Sequence, residues 1–268
     1  MTSFFMEPSL PAMGGRKIGE APELVKSTAG APRTPDLSVV MPVYNEAGVI
    51  ARVVRAWTAA LDRLDVDYEL RLYDDGSRDG TGAILERLAQ DLPRLVVTRQ
   101  PNSGHGPTIL RGYGEARGTW VFQVDSDDEM CPEHFARLWE NREHHDLLLG
   151  RREARHSPLV RRVITGASRL TVWALFGRAV GDVNAPYRLF RRSCLAAMLR
   201  RIPRDTFAPN VILSGLAARD GLRVLEVGVP HRGRSTGRVS LVRWRLWRAA
   251  ARSFRQTVAV ALRERLER

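Results

Sequence analysis

Four acidic residues follow a short apolar run near the middle of this chain. The run Trp120–Val124 is of strand type, and Asp125, Asp127, Asp128 and Glu129 come directly after it. Carboxylates this close repel one another unless a cation lies between them. Asp125, Asp127 and Glu129 alternate at period two, so they can converge from one edge of extended backbone on an oxygen-seeking cation. The spacing therefore predicts a divalent metal site, for Mg²⁺ or Mn²⁺, formed by these three residues.

A solvated turn at the start of a helix is the alternative interpretation of the acidic cluster. Pro132 and Glu133 have the chemistry of a first helical turn. Two aspartates would suffice for such a turn, so the period-two spacing favours the metal interpretation. Because a cation held by two or three carboxylates keeps open positions for phosphate oxygens, we expect a diphosphate-containing substrate.

The positive charge of the chain is concentrated in its second half. The 268 residues carry a formal net charge of +12. Residues 151–268 hold 26 arginines and no lysine against seven carboxylates, an excess of 19 positive charges, so the first half is acidic. An arginine-rich half predicts anionic partners, which include nucleic acid, phospholipid headgroups and phosphorylated substrates.

Length, cysteine content and hydropathy bound the class of protein. A chain of this length can bury one large core, or one core with a small appendage. Cys131 and Cys194 have neither metal-ligand spacing nor a disulfide framework. The first ten residues lack the regions of a signal peptide, and no window approaches the roughly 18–20 apolar residues of a spanning helix. We therefore expect a protein of the reducing cytoplasm that does not cross a membrane.

Apolar residues switch between strand-like and helix-like spacing from residue 37 onward. Strands are predicted at 37–43, 68–73, 95–98 and 120–124, and helices at 49–64, 83–89 and 108–116. This alternation is typical of βαβ units in the α/β class, with a mainly parallel sheet and flanking helices. Residues 1–35 contain five prolines and are predicted to be disordered.

Polar residues follow three of the predicted strands, and ligands of such sheets bind beyond the carboxyl ends of the strands. The three pairs, expected to line one crevice, are Asn45 with Glu46, Asp74 with Asp75, and Asp125 with Asp127. A dinucleotide-binding Rossmann fold is the competing prediction, but its glycine-rich turn should follow the first strand, and residues 42–46 contain no glycine. The only lysines, Lys17 and Lys26, are not in a P-loop. Dehydrogenases and P-loop enzymes are thereby excluded.

Four of these turns together resemble the motifs of family 2 glycosyltransferases, which have the GT-A fold. The matching stretches are V-V-M-P-V-Y-N-E at 39–46, D-D-G-S-R-D-G-T at 74–81, N-S-G-H-G at 102–106 and V-D-S-D at 124–127. The resemblance implies a nucleotide-sugar site. Its roles would put Pro42, Tyr44, Glu46 and Asp75 around the base and ribose, with Asp125 and Asp127 on the metal and diphosphate.

Beyond residue 145 the chain is most similar to the branch that makes polyprenyl-phosphate sugars, of the dolichyl-phosphate mannose synthase type. L-L-L-G-R at 147–151 matches an element before the acceptor region, and the segment 182–190 carries Asp182 and Arg188. The resemblance implies that Glu129 also binds the metal. It further implies catalytic roles for Asp127, Asp182 and Arg188.

Composition, the family resemblance and helical periodicity together divide the chain into three parts. These are the disordered segment 1–35, a GT-A domain at 36–240 and a basic amphipathic helix at 241–268. Within the domain, residues 36–135 form the nucleotide-sugar and metal half, and residues 136–240 form the acceptor half.

The sequence departs from the family pattern at three positions. His105 stands where the family has a basic residue in N-x-G-K-G, and Ala185-Pro186 replaces Ser-Gly. The terminal motif reads R-S-T-G-R-V-S at 234–240 and lacks the Ser-Lys pair after its glycine. We expect Arg234 and Arg238 to supply the missing charge.

A polyprenyl phosphate is already anionic at neutral pH, so it can attack a sugar without the general base that hydroxyl acceptors need. The expected mechanism is inverting: the metal takes up charge on the departing nucleoside diphosphate while arginines hold the acceptor phosphate. The candidate arginines are Arg151, Arg162, Arg234 and Arg238. The family resemblance favours mannose or glucose, carried by GDP or UDP.

Two amphipathic segments predict contact with the cytoplasmic face of a membrane. Residues 159–180 and 241–266 combine an apolar stripe containing Trp or Phe with flanking arginines, the pattern of a helix lying in the interface. The alternative is that both helices pack on the core and expose only the arginines.

Two other functions compete with transfer to a lipid phosphate. In the first, the sugar goes to a hydroxyl acceptor, with Asp205 as the candidate base. In the second, the basic half binds nucleic acid, which would leave Asp125, Asp127 and Glu129 unexplained. We therefore expect no nucleic-acid partner.

Overall fold

Seven strands form one mixed sheet in the computed structural model of this protein, which describes residues 34–153, 159–177, 181–230 and 243–267. The strands run in the spatial order β3-β2-β1-β4-β6-β5-β7. Their bounds are β1 Leu37–Val43, β2 Tyr68–Asp74, β3 Leu95–Arg99, β4 Trp120–Gln123, β5 Leu147–Glu153, β6 Arg188–Arg191 and β7 Val224–Pro230. Nearly all of the segment predicted to be disordered lies outside the described residues.

The helices cover both faces of this sheet. Their bounds are α1 Ile50–Arg63, α2 Thr81–Asp91, α3 His105–Glu115, α4 Phe135–Glu140, α5 Leu159–Phe176, α6 Arg192–Leu199, α7 Pro209–Arg219 and α8 Arg243–Leu266. Leu37, Val39 and Met41 of β1 pack in one core with α1, α2 and α4. Val40, between them in sequence, packs in a second core with α3 and α5 to α8. The central strand is therefore buried on both faces, as a parallel strand between two helical layers must be.

Helix α1 shows how the apolar spacing in the sequence builds the first core. Val53, Trp57 and Leu61 recur at helical spacing and are all buried. Trp57 lies 5.3 Å from the Phe122 ring of β4 and 6.0 Å from the Tyr187 ring, measured between centroids. Burial of a large aromatic side chain stabilises the fold by about 1.5–3 kcal/mol. This packing holds the ends of β1 and β4 at fixed positions.

One short antiparallel strand interrupts the parallel order. Strands β1, β2, β3 and β4 pair in parallel, whereas β6 pairs antiparallel with both β4 and β5. Because Gln123 at the end of β4 pairs with Arg188 at the start of β6, the segment before β6 enters at the carboxyl edge of the sheet. The predicted α/β fold with a mainly parallel sheet and flanking helices is confirmed.

Helices α5 and α8 lie within the two segments that were predicted to be amphipathic helices, and they pack against each other. The Arg265 guanidinium donates to the carbonyls of Ala174 and Leu175 at the end of α5. None of the helices that the structure describes is long and apolar enough to span a bilayer. The side chains of 243–247 and of Arg162 lie outside the described residues.

Candidate active site

A crevice of about 300 Å³ opens at the carboxyl ends of β1, β2 and β4. All six residues that the family resemblance assigned to the nucleotide-sugar line it: Pro42, Tyr44, Glu46, Asp75, Asp125 and Asp127. Residues from the start of α3, among them His105 and Thr108, complete the wall. The expected single crevice is thus formed by three strand ends and one helix N-terminus.

The turns after β1 and β2 are joined by hydrogen bonds from main chain to side chain. The Asn45 N–H donates to Ser77 Oγ at 2.9 Å, and the Arg78 N–H donates to Asn45 Oδ1 at 2.8 Å. The Glu46 N–H donates to Thr81 Oγ1 at 2.9 Å. Asn45 has a positive φ of 55°, a conformation that asparagine tolerates better than most residues. The D-D-G-S-R-D-G-T stretch therefore supports the first strand end as well as forming its own turn.

Asp75 is held by the loop that precedes α3. Its Oδ1 accepts from Gln100 Nε2 and from the Ser103 N–H, each at 2.8 Å, and its Oδ2 accepts from the Gly104 N–H at 2.9 Å. Burial raises the pKa of this carboxyl, but these hydrogen bonds outweigh burial and lower the pKa below 3.8. Asp75 is thereby a fixed anionic acceptor at the base of the crevice.

Asp125 receives hydrogen bonds from two directions. His105 Nε2 lies 3.1 Å from Asp125 Oδ1, and Gln123 Nε2 donates to the same oxygen at 3.0 Å. Desolvation lowers the pKa of His105, but attraction by Asp125 and then by Asp127 outweighs it and raises the pKa above 6.5. With 58% of the His105 side chain exposed, the carboxylates are the larger influence. The carboxylates of Asp125 and Asp127, which form the acidic wall of the crevice, thus favour the protonated form of the histidine at the family's basic position.

The four acidic residues after β4 do not act as one cluster. Asp128 has a φ of 59°, and its carboxylate pairs with Arg52 of α1 at 2.9 Å. Asp125 and Asp127 line the crevice, and the Glu129 N–H donates to Asp127 Oδ1 at 3.2 Å. Glu129 is not among the crevice-lining residues in the described part of the chain. The sharp turn at Asp128 is what separates these side chains.

The donors at this wall fit a divalent cation only in part. Among the residues that the structure describes, no group of three or more His, Cys, Asp or Glu side chains could hold a metal ion by itself. Asp125 and Asp127 nonetheless provide carboxylate oxygens at the crevice, which are the ligands that Mg²⁺ and Mn²⁺ prefer. Such an ion would complete its coordination with water or substrate oxygens. The metal role of Glu129 stays a prediction.

Asp182 and Arg188 lie in the segment that enters at the carboxyl edge. Arg188 is fully buried, and its guanidinium donates to the carbonyls of Ala185 at 2.7 Å and Asn210 at 3.1 Å. Asp182 is also buried, and its Oδ1 accepts from the Asn184 N–H at 3.3 Å. These contacts stabilise the loop 182–187. The catalytic roles of both residues stay predictions.

Of the four candidate acceptor arginines, only Arg151 has a described side chain. Arg151 is exposed near the carboxyl end of β5. The side chain of Arg162, and Arg234 and Arg238 altogether, lie outside the described residues. Asp205, the candidate base for a hydroxyl acceptor, has a side chain that is 75% exposed and lies 3.7 Å from Arg252 of α8.

Sequence reasoning missed the residues that orient the acidic wall. Gln123 is fully buried in β4, and its Oε1 accepts from Asn210 Nδ2 at 2.8 Å and from the Tyr113 hydroxyl at 3.3 Å. Gln100 holds Asp75 in a similar way. A lone glutamine in the otherwise apolar run Trp120–Val124 was the available signal, since a buried amide requires hydrogen-bond partners.

Solved structures with this fold bind nucleotide-sugars. Glucosyl-3-phosphoglycerate synthase from Mycobacterium tuberculosis, in complex with Mn²⁺, UDP-glucose and phosphoglyceric acid, matches with a TM-score of 0.62 and 18% identity, over 85% of this chain and 80% of that one. A mannosyltransferase from Pyrobaculum calidifontis, in complex with GDP-Man and Mn²⁺, matches with a TM-score of 0.58 and 21% identity, over 86% of this chain and 65% of that one. These likenesses confirm the GT-A fold.

Curated relatives are more similar in sequence. Undecaprenyl-phosphate 4-deoxy-4-formamido-L-arabinose transferase from Proteus mirabilis is 32% identical over 204 residues, which are 75% of this chain and 61% of that protein. The protein of the same name from Pseudomonas fluorescens is 34% identical over 75% of this chain and 58% of its own length. The chain thus spans about three fifths of the length of these relatives.

A family model described as "Glycosyl transferase family 2" matches residues 38–205, which is more than half of the chain. The match includes every crevice-lining residue named above, together with Asp182 and Arg188. The motifs at the three strand ends, the sheet order and this match agree. The chain belongs to glycosyl transferase family 2.

Proposed function

We propose that this protein transfers a sugar from a nucleotide-sugar to a polyprenyl phosphate, with inversion at the anomeric carbon, at the cytoplasmic surface of a membrane. The observation that carries the proposal is the crevice in which Pro42, Tyr44, Glu46 and Asp75 meet Asp125 and Asp127. The names of the relatives, which include undecaprenyl phosphate, support the lipid acceptor.

In this proposal the first two strand ends bind the nucleoside. Tyr44 is 46% exposed at the mouth of the crevice, which leaves its ring available to stack on a base. Asp75 is a buried, ionised acceptor whose geometry is set by the 100–104 loop, and it suits a ribose hydroxyl or a base N–H. Glu46 is the second carboxylate beside this position.

The third strand end binds the diphosphate. Asp125 and Asp127 would hold a divalent cation, which supplies charge neutralisation for the departing nucleoside diphosphate. His105 lies beside Asp125 at the N-terminus of α3, and the neighbouring carboxylates raise the pKa of its imidazole. A protonated imidazole and the helix N-terminus would both favour a bound anion. The metal contact of Glu129 is part of the proposal.

The acceptor half supplies the phosphate site. We assign the lipid phosphate to Arg151 at the end of β5, together with Arg162, Arg234 and Arg238. Asp182 and Arg188, both buried, would keep the catalytic roles that the family resemblance gives them. In this scheme residues 36–135 are the donor half, residues 136–240 the acceptor half, and residues 241–268 a membrane-surface helix.

The outward faces of α5 and α8 support the membrane location. Leu170 and Trp173 of α5 are 63% and 58% exposed, and Phe254 and Leu262 of α8 are 54% and 51% exposed. Exposed arginines lie alongside, including Arg248. Large apolar side chains between arginines are typical of a helix that rests on an anionic bilayer.

A donor and acceptor matrix tests the proposal. Purified protein would be incubated with undecaprenyl or dolichyl phosphate and with radiolabelled UDP- or GDP-sugars, with Mn²⁺, Mg²⁺ or EDTA. Mannose and glucose come first, and 4-deoxy-4-formamido-L-arabinose is the sugar named in the relatives. We expect a lipid-soluble labelled product that depends on the metal. If no donor labels either lipid while a saccharide hydroxyl is labelled, the lipid acceptor is wrong.

A further inference from the structure

The loop 203–208 lies directly against the first turn of α3. A Cβ added at Gly106 would lie 2.2 Å from the Thr206 carbonyl oxygen and 2.4 Å from the Phe207 carbonyl oxygen. Non-bonded contacts of a Cβ atom are essentially never this short. The two backbones are therefore in contact, and only glycine fits at residue 106 without a shift. Thr206 is fully buried at this contact. We therefore expect a displacement of the loop to move the start of α3 as well.

The start of α3 holds two carboxylates of the crevice. The Gly104 N–H donates to Asp75, and His105 contacts Asp125. Thr108, one turn later, is fully buried and shares Gln100 Nε2 with Asp75. A shift of this turn by a few tenths of an ångström would alter both strand-end carboxylates together.

The C-terminal helix contacts the loop through two side chains, of which the Gln256 amide bonds to both Asp205 and Phe207. Gln256 Oε1 accepts from the Phe207 N–H at 2.8 Å, and Gln256 Nε2 donates to the Asp205 carbonyl at 3.3 Å. Gln256 thus engages both a donor and an acceptor of the loop backbone. Arg252 also donates to the Asp205 carbonyl, at 3.3 Å, but it makes no described bond to Phe207. Gln256 is 150 residues away in sequence from Gly106, so only the tertiary structure joins them.

We propose that Gln256 of α8 is a positioning residue of the donor site, which acts by holding loop 203–208 against the first turn of α3. The inference rests on the proposed function in taking the crevice as the donor site. It adds that the C-terminal helix helps to position the residues of that site. No covalent step is involved, since Gln256 acts only through the loop and α3.

The test compares Gln256→Ala with Thr257→Val in the full chain. Thr257 is the neighbouring buried residue, and its hydroxyl bonds only within α8, to the Ser253 carbonyl, among the contacts described. It therefore controls for a general loosening of the helix. Gln256→Glu is a second variant that keeps the acceptor for the Phe207 N–H and removes the donor to Asp205. Hydrogen exchange and binding of UDP or GDP with Mn²⁺ would be measured for each.

Gln256→Ala should speed amide exchange in the segments 205–208 and 104–108 and weaken nucleotide binding by roughly 5- to 10-fold, the effect of losing a hydrogen-bonded contact. Thr257→Val should leave both exchange rates and binding near wild type, and Gln256→Glu should lie between. In transfer assays the KM for the donor should rise while the KM for the lipid stays unchanged.

Two results would overturn the inference in distinguishable ways. Unchanged exchange at 104–108, with nucleotide binding equal to that of Thr257→Val, would show that Gln256 is merely structural. If the wild-type protein bound neither UDP nor GDP, the assignment of the crevice as the donor site would be wrong. The exchange measurement would still decide whether Gln256 holds the loop.

Discussion

The crevice and the outward face of α5 and α8 present their side chains in opposite ways. In the crevice the carboxylates have defined positions: Asp75 accepts four hydrogen bonds, and Asp125 lies between His105 and Gln123. On α8 the apolar residues Phe254 and Leu262 are half exposed, while buried Val260 and Ala261 pack on the domain. One region is pre-organised for a small polar ligand, and the other is an open apolar surface.

The two regions would therefore gain binding free energy from different interactions. A pre-organised polar site gains from charge-assisted hydrogen bonds and metal coordination, and it depends on geometry at the level of tenths of an ångström. An apolar face gains in proportion to the area removed from water and tolerates changes of shape. Single substitutions should therefore be severe in the crevice and graded on the helices.

The largest expected effect is at Asp127. Asp127→Ala should lower transfer by about 10³-fold, because it removes one of the two carboxylates that would hold the cation, and the cation would neutralise charge on the departing diphosphate. The matched control is Asp128→Asn, since Asp128 pairs with Arg52 and a positive φ suits asparagine. Initial rates across a Mn²⁺ titration measure both variants. Equal rates in the two variants would remove Asp127 from the site.

A charge network centred on buried Glu69 lies at the end of the sheet opposite to the crevice. Substitutions in it should change the stability of the fold and leave catalysis unchanged. Glu69 Oε2 accepts from Arg117 at 2.8 Å and from Arg71 at 3.1 Å, and Oε1 accepts from Ser38 at 2.6 Å. Glu69→Gln should lower the free energy of unfolding by about 2–3 kcal/mol, since it removes a buried carboxylate that accepts charge-assisted hydrogen bonds from Arg71 and Arg117. Glu86→Gln, in an exposed pair with Arg99, should cost less than about 1 kcal/mol.

The same network gives a pH dependence with a definite sign. Burial raises the pKa of Glu69, but hydrogen bonds from Ser38 and Arg117 and the charge of Arg71 lower it below 4.5. A depressed folded-state pKa adds stability above the unfolded value, and this stability is lost as pH falls through the folded pKa. Urea unfolding should therefore show a wild-type advantage over Glu69→Gln that is full at pH 7 and shrinks below about pH 4.5. A constant difference would contradict the assignment.

The apolar face should respond in smaller, additive steps. Phe254→Ser with Leu262→Ser should weaken binding to anionic phospholipid vesicles by about 30-fold, or about 2 kcal/mol for two half-buried side chains. Nucleotide binding should stay at the wild-type level. Ala259→Ser, at an exposed alanine of the same helix, is the matched control in vesicle co-sedimentation. Unchanged vesicle binding in the double variant would mean that α8 does not rest on the bilayer.

The smallest expected effect is at a single surface charge. Arg248→Gln should weaken binding to anionic vesicles by about fivefold, because one arginine near such a surface contributes about 1 kcal/mol. Binding to neutral phosphatidylcholine vesicles should not change. An equal loss with both lipids would mean that Arg248 contributes through its stem rather than its charge.

The sequence alone determined the parts that depend on local periodicity and local turns. β1 and β4 lie within one residue of the predicted bounds, and α1 is confirmed within one residue at each end. Glu46, Asp75, Asp125 and Asp127 were predicted to meet because parallel strands share a carboxyl edge, whereas Pro42 and Tyr44 were added by the family resemblance. The predicted amphipathic stripes contain Leu170 and Phe254, and both are exposed rather than in the core.

Contacts between segments far apart in the chain could be known only from the folded structure. The antiparallel β6, the support of Asp125 by Gln123 and Asn210, and the bond from Phe207 to Gln256 leave no periodic signal. The separation of Asp128 from Asp125 and Asp127 also depended on one positive φ. The sequence pattern shows which face of an element is apolar. The partner of a buried amide or of a backbone contact depends instead on which element packs against it.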